Sequence, residues 1–545
     1  MKRLCVCIFL SIASVINGAP PDSLRFCLRS EPRTFDPLLV DDSASETIRY
    51  LTGGVLIRFN RAQQKLEPAL ATAWHVRDNG RRIDFELRRG IQFSDGSPFG
   101  PEDVVFTVRR MMDPTTQSPL ADSFRSAAGM VEARVTAPES VSLRFPAPVA
   151  GLAGLFDEVA IVSSRSPLKE NAVLGPFMVS RRNPGVSLLL RRNPHYWEKS
   201  KDGRPLPYLD AIQIDIQQNR DAEALAFERS EVDLVQNLDP DIYDRLANRN
   251  IGGGGELFDS GASLDSEQMW FNESPAALIP AYKKAWFENV HFRRAVSIAI
   301  RRDDICRLIY HNHAVPALGP VSPSNREWFA ANLAPRTSSL EAAWKELAAD
   351  GFRQIDGALF DRDHHRVEFS LVTNAESKIH ERMAALIQQD LDRLGIRLNV
   401  TTLDFSSLIE RMTRTFSYEA CLMSMVNTAT DPNGQMSVWL SSGANHQWNP
   451  DQKAPATSWE AEIDHLMQHQ SAASDPRQRK KDFDRVQEIA REQEPFIYLV
   501  HPNALTAVSQ RVRNATPCQL RPQAYWNADR LWLAPAGQTA SGRNR

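Results

Sequence analysis

Two histidine groups, His311-Asn312-His313 and His364-His365, are the residues whose type most invites chemistry, because imidazole is the commonest transition-metal ligand. A metal site needs a converging ligand set, and no carboxylate or cysteine frame of recognised spacing accompanies either group. They read as solvated loops, and neither a metal nor a cofactor is expected. Hydrolysis would need an activated nucleophile or a metal-bound water. The chain carries no Gly-x-Ser-x-Gly elbow and no His-Glu-x-x-His helix, which leaves a periplasmic hydrolase as a remote alternative. Trp270, Trp439, Trp448 and Phe124 could stack on sugar faces or apolar side chains as walls of a binding cleft, with core packing as the competing use of such rings.

The elements that must position these residues read from hydropathy period. Asn79-Gly80 is a two-residue hairpin turn signal, after which Ile83, Phe85 and Leu87 alternate as a half-buried strand. A second turn follows at Asp95-Gly96. Pro101 then suits a first helical position, Glu102 and Asp103 favour the positive end of the dipole, and Val104, Val105, Val108 and Met111 trace one face. Later, Val367, Phe369 and Leu371 alternate, Ile379 to Leu394 follow a helical period ended by Gly395, and Ile396, Leu398 and Val400 alternate again. Strand, helix, strand with short links implies a parallel βαβ unit, so mixed α/β with at least two lobes is expected. Gly252 to Gly255 reads as a loop.

Lys2 and Arg3 precede an apolar stretch from Leu4 to Ile16 and then the small residues Gly18 and Ala19, the pattern of a secretory signal peptide over residues 1–18. Cys5 and Cys7 within it lack a lipobox, so an unanchored periplasmic protein is expected. The composition, 42% hydrophobic and 24% charged, is that of a globular chain, and the formal charge of −3 excludes a globally basic nucleic-acid binder. Cys27, Cys306, Cys421 and Cys518 remain after cleavage. An oxidising compartment allows them roughly three complete disulfide connectivities, and free buried thiols are the other reading.

The run from Gly80 to Phe106, preceded by Leu66 to Trp74, resembles the signature region of the peptide/nickel class of solute-binding proteins, the family 5 extracellular receptors of ABC importers. Further pieces follow in family order: Thr34-Phe35-Asp36-Pro37, Leu174 to Phe177, Leu190 to Trp197, Pro207 to Asp210, Ala226 to Leu234, Phe287 to Ile300 and Ile387 to Ile396. The resemblance implies an α/β, two-lobed periplasmic-binding-protein-like fold (class II, cluster C) with an additional small domain. It implies a discontinuous first lobe of residues 20–58, 173–270 and 511–535, the extra domain at 59–172 and the second lobe at 271–510.

The same resemblance implies a peptide or peptide-like solute bound as an added strand between closing lobes, an ABC permease as membrane partner, and a monomer. An oligosaccharide, opine or metal chelate is the alternative ligand. By position, Asp41, Asp42 and Ser43 would form the first-lobe edge of the cleft, and Ser424, Met425, Val426, Asn427 and Thr428 the second, with Asp431 beyond. Peptide-binding relatives pair an aspartate with the ligand's amino group, and Thr428 stands at that place. A hydroxyl offers only a neutral hydrogen bond, so selection for a free amino terminus should be weakened, with Asp431 or Asp41 as substitutes.

Overall fold

The computed structural model describes residues 23–124, 131–166, 172–248, 255–335, 337–427 and 430–535. The signal segment, Gly252 to Gly254 and Thr428 lie outside the described residues. A twelve-stranded mixed sheet runs through the molecule, with the 13-residue strand Ile497–Ser509 at its middle. Its first part pairs antiparallel with Ser266–Phe271, in register Met269 with Ile497. Its last part pairs with Gly255–Ala262 and Leu234–Gln236, Leu257 facing Ala507 and Leu234 facing Val508. The chain thus passes between the two halves of the sheet along Gly255–Phe271 and again along Ile497–Ser509. At this crossing Ser263 donates its amide to Pro502 at 2.8 Å. His501 is fully buried there with Nδ1 2.9 Å from the Asp265 carbonyl, and burial pushes its imidazole down towards the neutral form.

One half contains the expected βαβ unit. Glu368–Asn374 and Arg397–Leu403 are parallel neighbours, joined by the helix Lys378–Asp392, which buries Met383, Leu386, Ile387 and Leu391 against them. Gly395 ends the connection at φ +77, where a Cβ would meet the Gly357 carbonyl oxygen at 2.7 Å. The other half joins Ser23–Leu28 in parallel to Ala211–Ile216 and continues antiparallel through Ser187–Arg192 and Phe177–Asn183.

Residues 71–144 build a separate four-stranded antiparallel sheet. Its first hairpin pairs Ala71–Arg77 with Arg82–Leu87, and the helix Pro101–Met112 packs on it, both as expected. The turn differs in length: Arg77 faces Arg82, so four residues connect the strands rather than two. Asp78, Asn79 and Gly80 all adopt positive φ, a run that a two-residue turn has no room for. Cys27, Cys306, Cys421 and Cys518 are free thiols, the second of the two readings, and burial pushes each one's pKa up.

The four aromatic residues offered as cleft walls belong to hydrophobic cores. Phe124 is 3% exposed and stacks on Phe145 and against Phe156 inside the four-stranded domain. Trp270, Trp439 and Trp448 share one cluster with Phe496, each at most 1% exposed. That expectation is corrected: burying a large ring in a core of this size stabilises more than leaving it in a wet cleft, and nothing in the local sequence marks which use a ring will have.

Candidate functional site

A cavity of about 480 Å³ lies between the 59–158 region on one side and residues 327–328, 430–434 and 473–479 on the other. Its rim is held shut by hydrogen bonds that cross the gap. Ala150 donates its amide to the Ser471 carbonyl at 2.8 Å, Asn433 Nδ2 donates to the Ala150 carbonyl at 3.0 Å, and Gln64 Nε2 donates to the Ser324 carbonyl at 2.8 Å. Gly151 makes this approach possible, with φ +65 and an ideal Cβ position only 2.5 Å from Asp431 Oδ2. Behind the crossing strands, a second set of contacts spans the halves: Arg382 to Asp241 at 2.8 Å, His311 to Asp244 at 2.6 Å and His313 to Asp259 at 2.6 Å. The first histidine group is therefore engaged by neighbouring carboxylates at hydrogen-bond distance. Among the described residues, no group of three or more metal-ligating side chains is arranged to hold an ion.

Three arginines line the cavity and each has its own carboxylate. Arg61 Nη2 meets Asp157 at 2.8 Å, Arg479 grips both oxygens of Asp431 at 2.7 and 2.9 Å, and Arg521 meets Asp265 at 2.5 Å. The Arg479 guanidinium also lies 4.9 Å over the ring of Trp328, a buried side chain in the cavity wall. Asp265 holds more than Arg521: its Oδ1 accepts the Asn427 amide at 3.1 Å, tying the loop after Ala420–Met425 to the crossing segment.

Of the residues expected from position, Asp431 lines the cavity, and it is already committed. Besides its ion pair it caps the short 3₁₀ turn Pro432–Gln435 by accepting the Asn433 amide at 2.9 Å. Asp42 is likewise spent on structure, as the N-cap of the helix Ser43–Thr52, accepting from the amides of Ala44 and Ser45 at 3.0 and 2.9 Å. The Ser43 carbonyl accepts from Thr47 Oγ1 within that helix. Asp41 is exposed beside Arg33 at 3.7 Å. Met425 faces Ser266 across the sheet, Val426 is 58% exposed, and Asn427 is bonded to Leu264 and Asp265. None of these last residues lines the cavity. Replacing Asp42 by Ala should cost about 1 kcal/mol of stability through loss of the cap, readable as a lowered urea midpoint with unchanged slope.

Ser424 lies in a buried polar constellation. Its Oγ donates to Glu267 Oε1 at 2.7 Å, Tyr310 donates to the same oxygen at 2.8 Å, and His380 Nε2 lies 3.0 Å from Glu267 Oε2 and 3.1 Å from Ser424 Oγ. Burial would raise the Glu267 carboxyl, but His380 and these donors outweigh it and hold it below the usual carboxylate range.

Residues 65–447 match the profile of the bacterial extracellular solute-binding proteins, family 5, middle region. The chain belongs to this family. Among curated relatives, a probable ABC transporter-binding protein of Deinococcus radiodurans is 29% identical over 69% of this chain and 68% of its own length. The oligopeptide-binding protein AppA of Bacillus subtilis is 23% identical over 92% and 90%. The solved structure of that AppA, in complex with a nonapeptide, superposes with a TM-score of 0.73 at 21% identity, covering 94% of this chain and 99% of its own. NikA of Brucella suis, in complex with Fe(III)-EDTA, does so at 0.78 and 19%, covering 94% and 100%. The fold is thus the two-lobed fold of family 5.

The residues that sequence reasoning missed are those that make the cavity: Arg61, Gly151, Glu158, Glu327, Trp328, Arg479 and Arg521. The one available signal was the run Ala150-Gly151-Leu152-Ala153-Gly154, whose two glycines mark a tight backbone approach without saying to what.

Proposed function

We propose that this family 5 protein is the periplasmic receptor of an ABC importer, capturing a small peptide-like solute between its lobes and presenting it to the membrane permease. The observation that carries the reading is the cavity between two bodies that, among the described residues, are connected by the crossing segments Gly255–Phe271 and Ile497–Ser509. Such a connection lets binding free energy be spent on closure, because only the closed form surrounds the solute. A volume of about 480 Å³ falls within the roughly 300–1,000 Å³ of small-molecule sites and favours a short solute over a long peptide. The lobes are assigned as residues 20–58, 173–270 and 511–535 for the first and 271–510 for the second, with 59–172 as the added domain. The leader is removed on export, the mature protein carries no lipid anchor, and it acts as a monomer.

A second ligand class, an opine, oligosaccharide or metal chelate, is favoured by one observation: Asp431, a substitute anchor for a ligand amine, is engaged by Arg479 at both oxygens. Turnover of the solute is not part of the proposal. The Ser424, His380 and Glu267 group has the residue types of a hydrolytic triad but the wrong wiring, since serine and carboxylate share one imidazole nitrogen while His380 Nδ1 is buried with no partner among the described residues. A proton relay needs the two groups on opposite ring nitrogens.

Native mass spectrometry of the protein from the periplasm should reveal a co-purified small solute, returned chemically unchanged after release. Small-angle scattering should then show the radius of gyration fall when that solute is added back to the emptied protein. A radius unchanged at saturation would refute the closing receptor.

A further inference from the structure

The charges lining the cavity do not balance. Arg61, Arg479 and Arg521 are each paired with an aspartate, so each positive charge on the wall already has a negative one beside it. Two carboxylates remain, one on each wall. Glu327 sits beside Trp328 on the second-lobe side of the cavity, and Glu158 belongs to the lining contributed by the 59–158 region. Among the described residues neither side chain has a hydrogen-bond or ion-pair partner. Around Glu327 the charged groups are Asp431 and Arg479, and around Glu158 they are Arg49, Glu46, Asp157 and Arg61. Arg49 is held by Glu46 in a bidentate pair and spends another nitrogen on the Glu158 backbone carbonyl, so it does not serve the Glu158 carboxylate directly.

We propose that the solute carries a positively charged group, an ammonium or guanidinium, that binds between Glu327 and Glu158, and that Glu327 is a specificity-determining residue of this protein. The inference rests on the reading of the interlobe cavity as the solute site. Carboxylates without a counter-charge of their own favour a cationic ligand, whose charge they can pair, over a neutral or anionic one. The direction of their titration agrees. Burial first, and Asp431 second, push the Glu327 carboxyl up despite Arg479; burial, and after it Glu46 and Asp157, push Glu158 up despite Arg49 and Arg61. The sequence fits as well: Thr428 stands where an aspartate was expected as the anchor, and the two glutamates offer negative charge in its stead.

The test uses the full mature protein and calorimetry with four probes: N-acetylated Ala-norleucine-Ala, which has no cation, the same tripeptide with a free amine, N-acetylated Ala-Lys-Ala, and the non-peptide cation pentane-1,5-diamine. The cationic peptide whose charge reaches the two walls should bind about 10- to 100-fold more tightly than the uncharged one. Glu327→Gln should reduce that preference to less than about threefold, and Glu158→Gln should reduce it independently. Glu327 is exposed at the surface of the cavity, so its variant keeps the fold. Equal binding of all three peptides overturns the inference and leaves the peptide receptor standing. Binding of the diamine alone, lost in Glu327→Gln, supports the inference and overturns the peptide reading. Failure of every cationic probe to bind overturns the inference.

Discussion

Gly151→Ala is expected to weaken solute binding by about 10- to 100-fold while costing the solute-free protein no more than about 1–2 kcal/mol of stability. The small stability term is the price of a side chain at φ +65. The large binding term has a different origin. The added methyl would sit 2.5 Å from Asp431 Oδ2 and 3.3 Å from Arg479 Nη1, across the gap between the lobes. A flexible carboxylate could swing away, but this one is pinned by two bonds to Arg479 and by the cap it gives the 432–435 turn. Separation of the two surfaces relieves the clash most cheaply, which breaks the bonds from Ala150 to Ser471 and from Asn433 to Ala150. The variant therefore penalises the closed state and spares the open one. The affinity of a ligand falls in proportion to the population of the state that binds it. Calorimetry with the co-purified solute, paired with scattering of the solute-free protein, checks both halves of the expectation. Wild-type affinity in Gly151→Ala would show that the 149–151 segment does not close on the Asp431 loop.

The contrast between elements and site shows what a sequence exposes. The βαβ unit at 367–403 and the helix Pro101–Met112 were legible because their apolar residues repeat at the period of the element, a purely local property. The 78–81 turn was legible as a turn but not in its length, since its three positive-φ residues include Asp78, which carries a weaker left-handed signal than glycine. The cavity has no such local signature. Its ion pairs join Asp431 to Arg479 across 48 residues and Asp265 to Arg521 across 256, and each partner alone looks like an ordinary surface charge. The family resemblance pointed to the Asp431 loop, whose aspartate does reach the cavity. It could not indicate that this aspartate would be neutralised, nor that Glu327 would have no ion-pair partner among the described residues. Both facts depend on side chains brought in by other segments. Trp270, Trp439 and Trp448 failed as cleft residues for the same reason, since whether a ring meets solvent is decided by what packs over it.

Glu460→Gln should be the most destabilising single polar substitution near the cleft, at about 3 kcal/mol at neutral pH. Burial alone would raise this carboxyl, but hydrogen bonds from His446, Trp448 and Gln452 outweigh it and hold the group at about 2 against an ordinary 4.5. Its side chain is only 3% exposed, so solvent screens little of that gain. Oε2 accepts from the amides of Ala456 and Thr457, both at 2.9 Å, and Oε1 accepts from Trp448 Nε1 at 3.1 Å. An amide has one oxygen, so glutamine must turn its own N–H groups toward one of these donor sets and leave it unpaired in the interior. Because the folded-state pKa lies below the unfolded one, the stabilisation is fully present above pH 4.5 and is lost as pH falls towards 2. Urea unfolding of both proteins should therefore show a wide gap in midpoint at pH 7 that narrows progressively below pH 4.5. A gap independent of pH would assign the loss to packing alone, and no gap at pH 7 would remove Glu460 from the account altogether. The effect should stay local, leaving solute binding unchanged. Glu460 closes the capping box with Thr457 at the start of the helix Ser458–Ala472, whose last turn carries Gln470, the donor to Asn433, and Ser471, the acceptor of the Ala150 amide. The cap itself acts on the first turn, while the last turn is held independently by Arg479, which donates to the Gln470 carbonyl at 3.2 Å and to its side-chain oxygen at 3.1 Å.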